Sequence, residues 1–261
     1  MRSLVFLFFG LALLACEQKE HASYLMTWSD EFNYQGLPDS TKWNYEEGFV
    51  RNNELQYYTV KDLNNVAVRD GHLAIQLRKD SAGNITSGSL HTLGKFEFTY
   101  GKVEIRAKIP HGLGTWPALW TLGTNIKEVG WPKCGEIDIM EFVGYMPDTI
   151  HGTVHTQNYN HTTKTDRGGH FYMHAPWEDF HVYSMEWSPE EIRIFVDNQQ
   201  YFSISDDGSG EDSWPFKNQA HYLLLNLAFG GSWGAQQGLD YSIFPQEMLI
   251  DYVRYYQLQS L

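Results

Sequence analysis

The stretch WPKCGEIDIMEFVG (Trp131 to Gly144) sets three acids, Glu136, Asp138 and Glu141, among residues that otherwise read as a buried β-strand. Side chains on a strand alternate between its faces, so Glu136 and Asp138 share one face while Ile137 and Ile139 take the other. Glu141 stands at an odd offset. A regular strand would drive it into the apolar layer, where an unpaired carboxylate is costly or takes up a proton. A β-bulge near Ile139 and Met140 removes the conflict, because one extra residue restores the register and returns Glu141 to the face of the other two acids.

Two glutamates on one open face can break a glycosidic bond. One carboxylate attacks the anomeric carbon, while the other protonates the departing oxygen and then activates water. Backbones four pleat steps apart are separated by about 13 Å. Long side chains leaning together can still bring the carboxyls to the roughly 5–5.5 Å of a retaining mechanism. Asp138 between them can hold the nucleophile through a shared proton, and its like charge helps Glu141 keep its own proton near neutral pH. A solvated acidic face on a half-exposed sheet uses the same residue types, so spacing alone leaves both readings open.

The elements that would position these acids are strands. Alternating segments recur between turn residues: NVAVRDGHLAIQLRK with a hairpin signal at Asp70-Gly71, then KFEFTYGKVEIRAKIP, GEIDIMEFV, TIHGTVHT, HVYSMEWS, EIRIFVDNQQYFSI, HYLLLNLAF and MLIDYVRYYQL. Their even spacing predicts an all-β sandwich or jelly roll, and no helical period is sustained. Tyr100-Gly101 reads as a turn between two antiparallel strands. The 261 residues suit one large domain.

GEIDIMEFVG resembles the bulged signature of glycoside hydrolase family 16, in the form carried by its laminarinases. WSDEFN, NNELQYYT, GKFEFTYGKVEIRAKIPHGLGTWPALW, HGTVHT, HVYSMEWSPEEIRIFVDN, LLLNLAFGGSWG and DYVRYYQ fall in that family's order. The resemblance implies a concanavalin-like jelly roll of two antiparallel sheets with a concave glycan-binding cleft. It implies Glu136 as nucleophile, Asp138 as its helper and Glu141 as acid/base, acting on β-1,3-glucan of the laminarin type. Mixed-linkage β-1,3-1,4-glucan, agar-type galactan and a non-catalytic glucan-binding role are the alternatives. Both glutamates being present weighs against the last.

The same resemblance places Trp116, Trp120, Trp131 and Trp233 along the sugar subsites, although Pro117 disturbs the inference that Trp116 and Trp120 share a face. Asn53 and Arg106 match positions that hydrogen-bond sugar hydroxyls on the non-reducing side. His155 matches a histidine kept near the acids. His151 lies on its face of the strand but about 13 Å away, too far for the two to chelate one zinc ion. No cofactor is required for catalysis. The resemblance also admits a structural calcium on the convex side, away from the active site, at Glu31, Gly71 and Asp251, oxygen ligands of the kind that ion prefers. GGSWG (Gly230 to Gly234) fits the nucleophile elbow of serine esterases, but no histidine follows His221, so that reading fails on order.

Composition bounds the partners. Formal net charge is −13, which disfavours nucleic acid. Aromatic content is 15%, with nine tryptophans and sixteen tyrosines, enough to supply flat faces for sugar rings beyond what a core absorbs. MRSLVFLFFGLALLA (1–15) is too short an apolar run to span a bilayer and reads as an export signal. Cys16 follows LLA as in a bacterial lipobox, predicting a lipid anchor at Cys16, a tether over 16–23, a catalytic domain over 24–261 and a monomer in the bacterial cell envelope. Cys134 is the other cysteine; with Cys16 carrying lipid, no intramolecular disulfide can form.

Overall fold

The computed structural model describes residues 23–259. The expected export signal and the lipid anchor expected at Cys16 lie outside the described residues. Those residues form two stacked β-sheets, as the alternating segments predict, with only two single-turn helices among them, Ile126–Val129 and Gly231–Gly234.

One sheet has seven strands in the order Arg167–Tyr172, Thr149–His155, Glu136–Glu141, Thr115–Gly123, His221–Phe229, Ser89–His91 and Asn44–Tyr45, all antiparallel. This is the cleft sheet. The outer sheet has ten strands, including Gly101–Lys108, His181–Trp187 and the long last strand Gln246–Leu258 that pairs with three others. Its one parallel pair joins Tyr57–Tyr58 to Ile85–Ser87.

The core fills the space between the sheets. On the strand His221–Phe229, Leu223, Leu225, Leu227 and Phe229 enter it, all fully buried, while Tyr222, Leu224, Asn226 and Ala228 face the other way. The same period-2 division runs along Thr115–Gly123, where Leu119 joins the core and Trp116, Ala118, Trp120 and Leu122 lie on the cleft face. Trp116 and Trp120 therefore do share a face. Pro117 leaves the strand unbroken, with its carbonyl accepting the Phe142 N–H at 3.3 Å.

The segment Lys95–Tyr100 departs from expectation. It is not the first arm of a hairpin; only Phe98 makes a bridge, to His221. Its aromatics have a stronger claim on it than a strand ladder has. Phe96 stacks on Trp28 at 4.3 Å, and Phe98 packs at 5.1 Å from Tyr255 and 6.0 Å from Trp187, closing one end of the sandwich. Gly101 then enters its strand at φ +94°, where a Cβ would meet the Tyr256 carbonyl oxygen at 2.5 Å.

Close backbone approach is also needed just after the acidic strand. A Cβ on Gly144 would stand 1.8 Å from the carbonyl oxygen of Gly112. No side chain can move aside to relieve that contact. Gly144→Ala is expected to lose about 2–3 kcal/mol of stability, equivalent to a fall in Tm of roughly 5–10 °C, measured by thermal and denaturant unfolding.

Candidate active site

The acidic strand lies third from one edge of the cleft sheet, between Thr149–His155 and Thr115–Gly123. Its register against Thr115–Gly123 slips between Asp138, opposite Trp120, and Met140, opposite Leu119. Ile139 is the extra residue. Ile137, Ile139 and Met140 are all fully buried in the core, so two consecutive side chains point inward at the bulge. Glu141 is thereby turned to the cleft with Glu136 and Asp138, as the sequence requires.

Each glutamate is held by a tryptophan. The Trp131 indole N–H donates to Glu136 Oε2 and the Trp116 indole N–H to Glu141 Oε1, both at 2.9 Å. His155 pairs across the strands with Glu136, and His151 with Glu141. His155 Nε2 lies 3.4 Å from Asp138 Oδ2 and 3.7 Å from Glu136 Oε1.

Burial dominates the electrostatics. It pushes Glu136 up to about 8, with the Asp138 charge adding to it and His155 opposing. Burial likewise raises Asp138 to about 8 against a hydrogen bond with Glu136. Glu141 is raised to about 8 by burial and then by Asp138, against the Trp116 hydrogen bond. The cluster therefore holds protons near neutral pH, and a proton shared between Glu136 and Asp138 leaves another for Glu141. That is the inventory a nucleophile and a general acid need.

The cleft has a volume of about 1010 Å³ and runs across the sheet. Trp116, Trp120, Trp131 and Trp233 all line it. Trp116 and Trp120 are only 8% and 6% exposed, and the Trp120 N–H is bound to Asn226 Oδ1 at 2.8 Å. These two shape the floor, and Trp116 also orients Glu141. Trp131 and Trp233 stand higher on the walls, Trp233 edge-on to Trp116 at 5.5 Å and to His151 at 5.1 Å.

Two expectations are corrected. Asn53 is exposed and does not line the cleft; its neighbours Asn52 and Glu54 do, because the chain turns through φ +56° and +53° at Asn52 and Asn53. Arg106 belongs to the outer sheet, where it pairs with Asp251 at 2.5 Å and lies over Phe180. Strand register decided this, since alternation turns Arg106 to the far surface of the other sheet. The calcium set meets a similar difficulty. Pairing of the last strand gathers Gly71, Glu31 and Asp251 at one corner, but Glu31 is held by two bonds from Arg254 and Asp251 by Arg106. With both carboxylates neutralised, the side chains as placed do not fit an open oxygen cage for calcium.

Sequence reasoning missed a buried network under the cleft end. Arg51 lies over the Trp120 ring at 4.9 Å and pairs with Glu46, whose other oxygen takes the Ser89 hydroxyl at 2.6 Å. Glu54 accepts from Gln56 and Tyr58, and the Tyr58 hydroxyl accepts from Asn226. The charged run RNNE was the available signal, but only its asparagine was weighed. Cys134 is buried and free, its thiol pushed up to about 12 by burial, and serves as packing.

Known proteins place this geometry. Residues 53–254 match Glycosyl hydrolases family 16. A beta-glucanase of Rhodothermus marinus is 45% identical over 260 residues, which cover 95% of this chain and 91% of that protein. The solved laminarinase from Rhodothermus marinus superposes with a TM-score of 0.88 at 45% identity, covering 92% of this chain and 99% of that one. The catalytic domain of an endo-1,3-beta-glucanase from Thermotoga petrophila superposes with a TM-score of 0.82 at 40% identity, over 92% and 100% of the two chains. With its acids bulged onto one cleft face and its strands in this order, the chain belongs to glycosyl hydrolase family 16.

Proposed function

We propose that the protein is an endo-acting, retaining hydrolase of β-1,3-glucan of the laminarin type. The observation that carries the chemistry is the bulge at Ile139, which puts Glu136 and Glu141 on the same open cleft, each fixed by an indole N–H. The β-glucan specificity is supported by the names of the relatives above. A cleft that crosses the whole sheet suits attack within a chain.

The geometry assigns a double displacement. Glu136 as carboxylate attacks the anomeric carbon, and the bond to the leaving sugar breaks as Glu141 gives its proton to the departing oxygen. Glu141 then takes a proton from water, whose oxygen displaces Glu136 and restores both groups. Asp138 receives the proton that Glu136 must shed to attack, and His155 Nε2, 3.4 Å from Asp138 and 3.7 Å from Glu136, helps to orient the pair. We place the Arg51 segment on the non-reducing side of the substrate because it adjoins the NNELQYYT stretch, which the family resemblance sets there, and because Arg51, Asn52 and Glu54 line that end of the cleft. The LLAC motif supports a further proposal, a lipid tether at Cys16 that holds the enzyme at a bacterial envelope membrane.

Glu136→Gln is expected to lower kcat by a factor of about 10³ or more. The variant should fold and still bind glucan, which titration calorimetry with laminarin oligosaccharides checks.

The raised carboxylates also fix a pH effect on stability. Glu136 goes from 4.5 to about 8 on folding, so the folded state binds more protons in that window and stability falls as pH rises through it. Stability from this group is complete below pH 4.5 and lost by about pH 8. Glu136→Gln removes that titration, so its Tm relative to wild type should climb between pH 5 and 8, by calorimetric scans in matched buffers.

Stereochemistry tests the mechanism. Proton NMR of the freshly cut reducing end should show the β-anomer first, and oligosaccharide acceptors at high concentration should yield longer products. Early α-anomer without such transfer would exclude Glu136 as nucleophile.

A further inference from the structure

The cleft wall beside Glu136 holds a polar residue that the hydrolytic steps leave unused. His161 is exposed and lines the cleft. Its ring centroid lies 5.0 Å from that of Trp131 and 5.1 Å from that of His155. Trp131 in turn binds Glu136, and His155 faces Asp138. His161 is thus one ring removed from the nucleophile.

The loop carrying it is ordered by a single buried side chain. Asn160 is 2% exposed, and its Nδ2 donates to the carbonyls of Thr156 and Gln157 at 3.1 and 3.2 Å. Its Oδ1 accepts the N–H groups of Thr162 and Thr163 at 3.1 and 3.2 Å. The Thr165 N–H closes the turn on the Asn160 carbonyl at 3.1 Å. A saturated buried amide of this kind fixes the turn on both sides of His161. A group held in place beforehand loses little conformational freedom when a ligand arrives.

The chemistry presented is that of a sugar site. Partial burial and then the adjacent His155 lower the His161 ring from its ordinary range, against Asp166, and so favour its neutral form. A neutral imidazole offers one donor and one acceptor to sugar hydroxyls. The indole of Trp131 beside it offers an apolar surface for the C–H bonds.

Position selects which sugar. The loop joins Thr149–His155 to the edge strand Arg167–Tyr172, on the side of the acidic strand away from the Arg51 segment. Two strand spacings, about 10 Å, lie between the acidic strand and this edge, against four, about 19 Å, towards Asn44–Tyr45. We propose that His161, beside Trp131, binds the leaving sugar on the reducing side of the cleaved bond and afterwards the acceptor sugar that competes with water. This rests on the reading of the cleft as a retaining glucan hydrolase with its non-reducing side at Arg51.

The test compares wild type, His161→Ala and His161→Asn on an unsubstituted β-1,3-gluco-oligosaccharide and on an aryl β-glycoside of a matching oligomer, whose phenolate leaves without a sugar site. His161→Ala should lose about tenfold more kcat/KM on the oligosaccharide than on the aryl glycoside. Its ratio of transfer to hydrolysis, with the aryl donor and added oligosaccharide acceptor, should fall as well. His161→Asn should recover part of both, and an unchanged Tm would show that folding is intact. Equal losses on the two substrates, or none on either while wild type cleaves both, overturn the proposal alone. Wild-type enzyme that cleaves neither overturns the glucan reading and this assignment with it.

Discussion

Three carboxylates held together and largely out of water are the constraint around which the molecule is arranged. Two like charges 4 Å apart repel by roughly 4 kcal/mol at the effective dielectric of a protein surface, and desolvation adds to that. Glu136, Asp138 and Glu141 answer by keeping protons, with all three raised by burial. The chemistry follows from the same strain. Carboxyls forced to share protons supply an acid and a base side by side near neutral pH.

Holding such a cluster requires a rigid frame, and the surrounding elements provide one. The core beneath the acidic strand takes Ile137, Ile139 and Met140, so the bulge is locked by packing from below. Trp116 and Trp131, from the neighbouring strand and the loop before Glu136, lock the two glutamates from the sides. Hydrogen bonds to charged groups contribute about 1.5–3 kcal/mol each, enough to hold a carboxylate's direction against rotation. Among the described residues the strands of the ten-stranded outer sheet do not line the cleft directly, although Tyr58 bonds Glu54 and Asn226 from beneath it. The outer sheet supplies the buried surface against which the cleft sheet can bend, and its charges pair among themselves, as at Arg106–Asp251 and Arg193–Glu186.

The two ends of the cleft differ in kind. Towards Asn44–Tyr45, Arg51, Glu46, Glu54, Tyr58 and Asn226 form a linked polar floor beneath Trp120. Towards the opposite edge, histidines line the cleft, with His151, His155 and His161 set among Trp131 and Trp233. The cleft therefore presents bonded charge towards one end and aromatic and imidazole rings towards the other.

What the sequence determined by itself is what depends on local periodicity. The odd offset of Glu141 admits one remedy that keeps it out of the core, and the bulge stands at Ile139 as that argument required. Alternation likewise marked the strands and the shared face of Trp116 and Trp120. Tertiary structure alone decided which sheet each strand joined. Arg106 and Trp116 sit on equally regular strands, yet one faces outer solvent and the other the glutamate, because strand partners are chosen by contacts far apart in the chain. Lys95–Tyr100 alternates as a strand does, but burial of Phe96 and Phe98 against Trp28, Trp187 and Tyr255 outweighs its ladder. His161 could not be read from its neighbours either: a histidine in a polar turn gains its meaning only when Asn160 folds the turn back over Trp131.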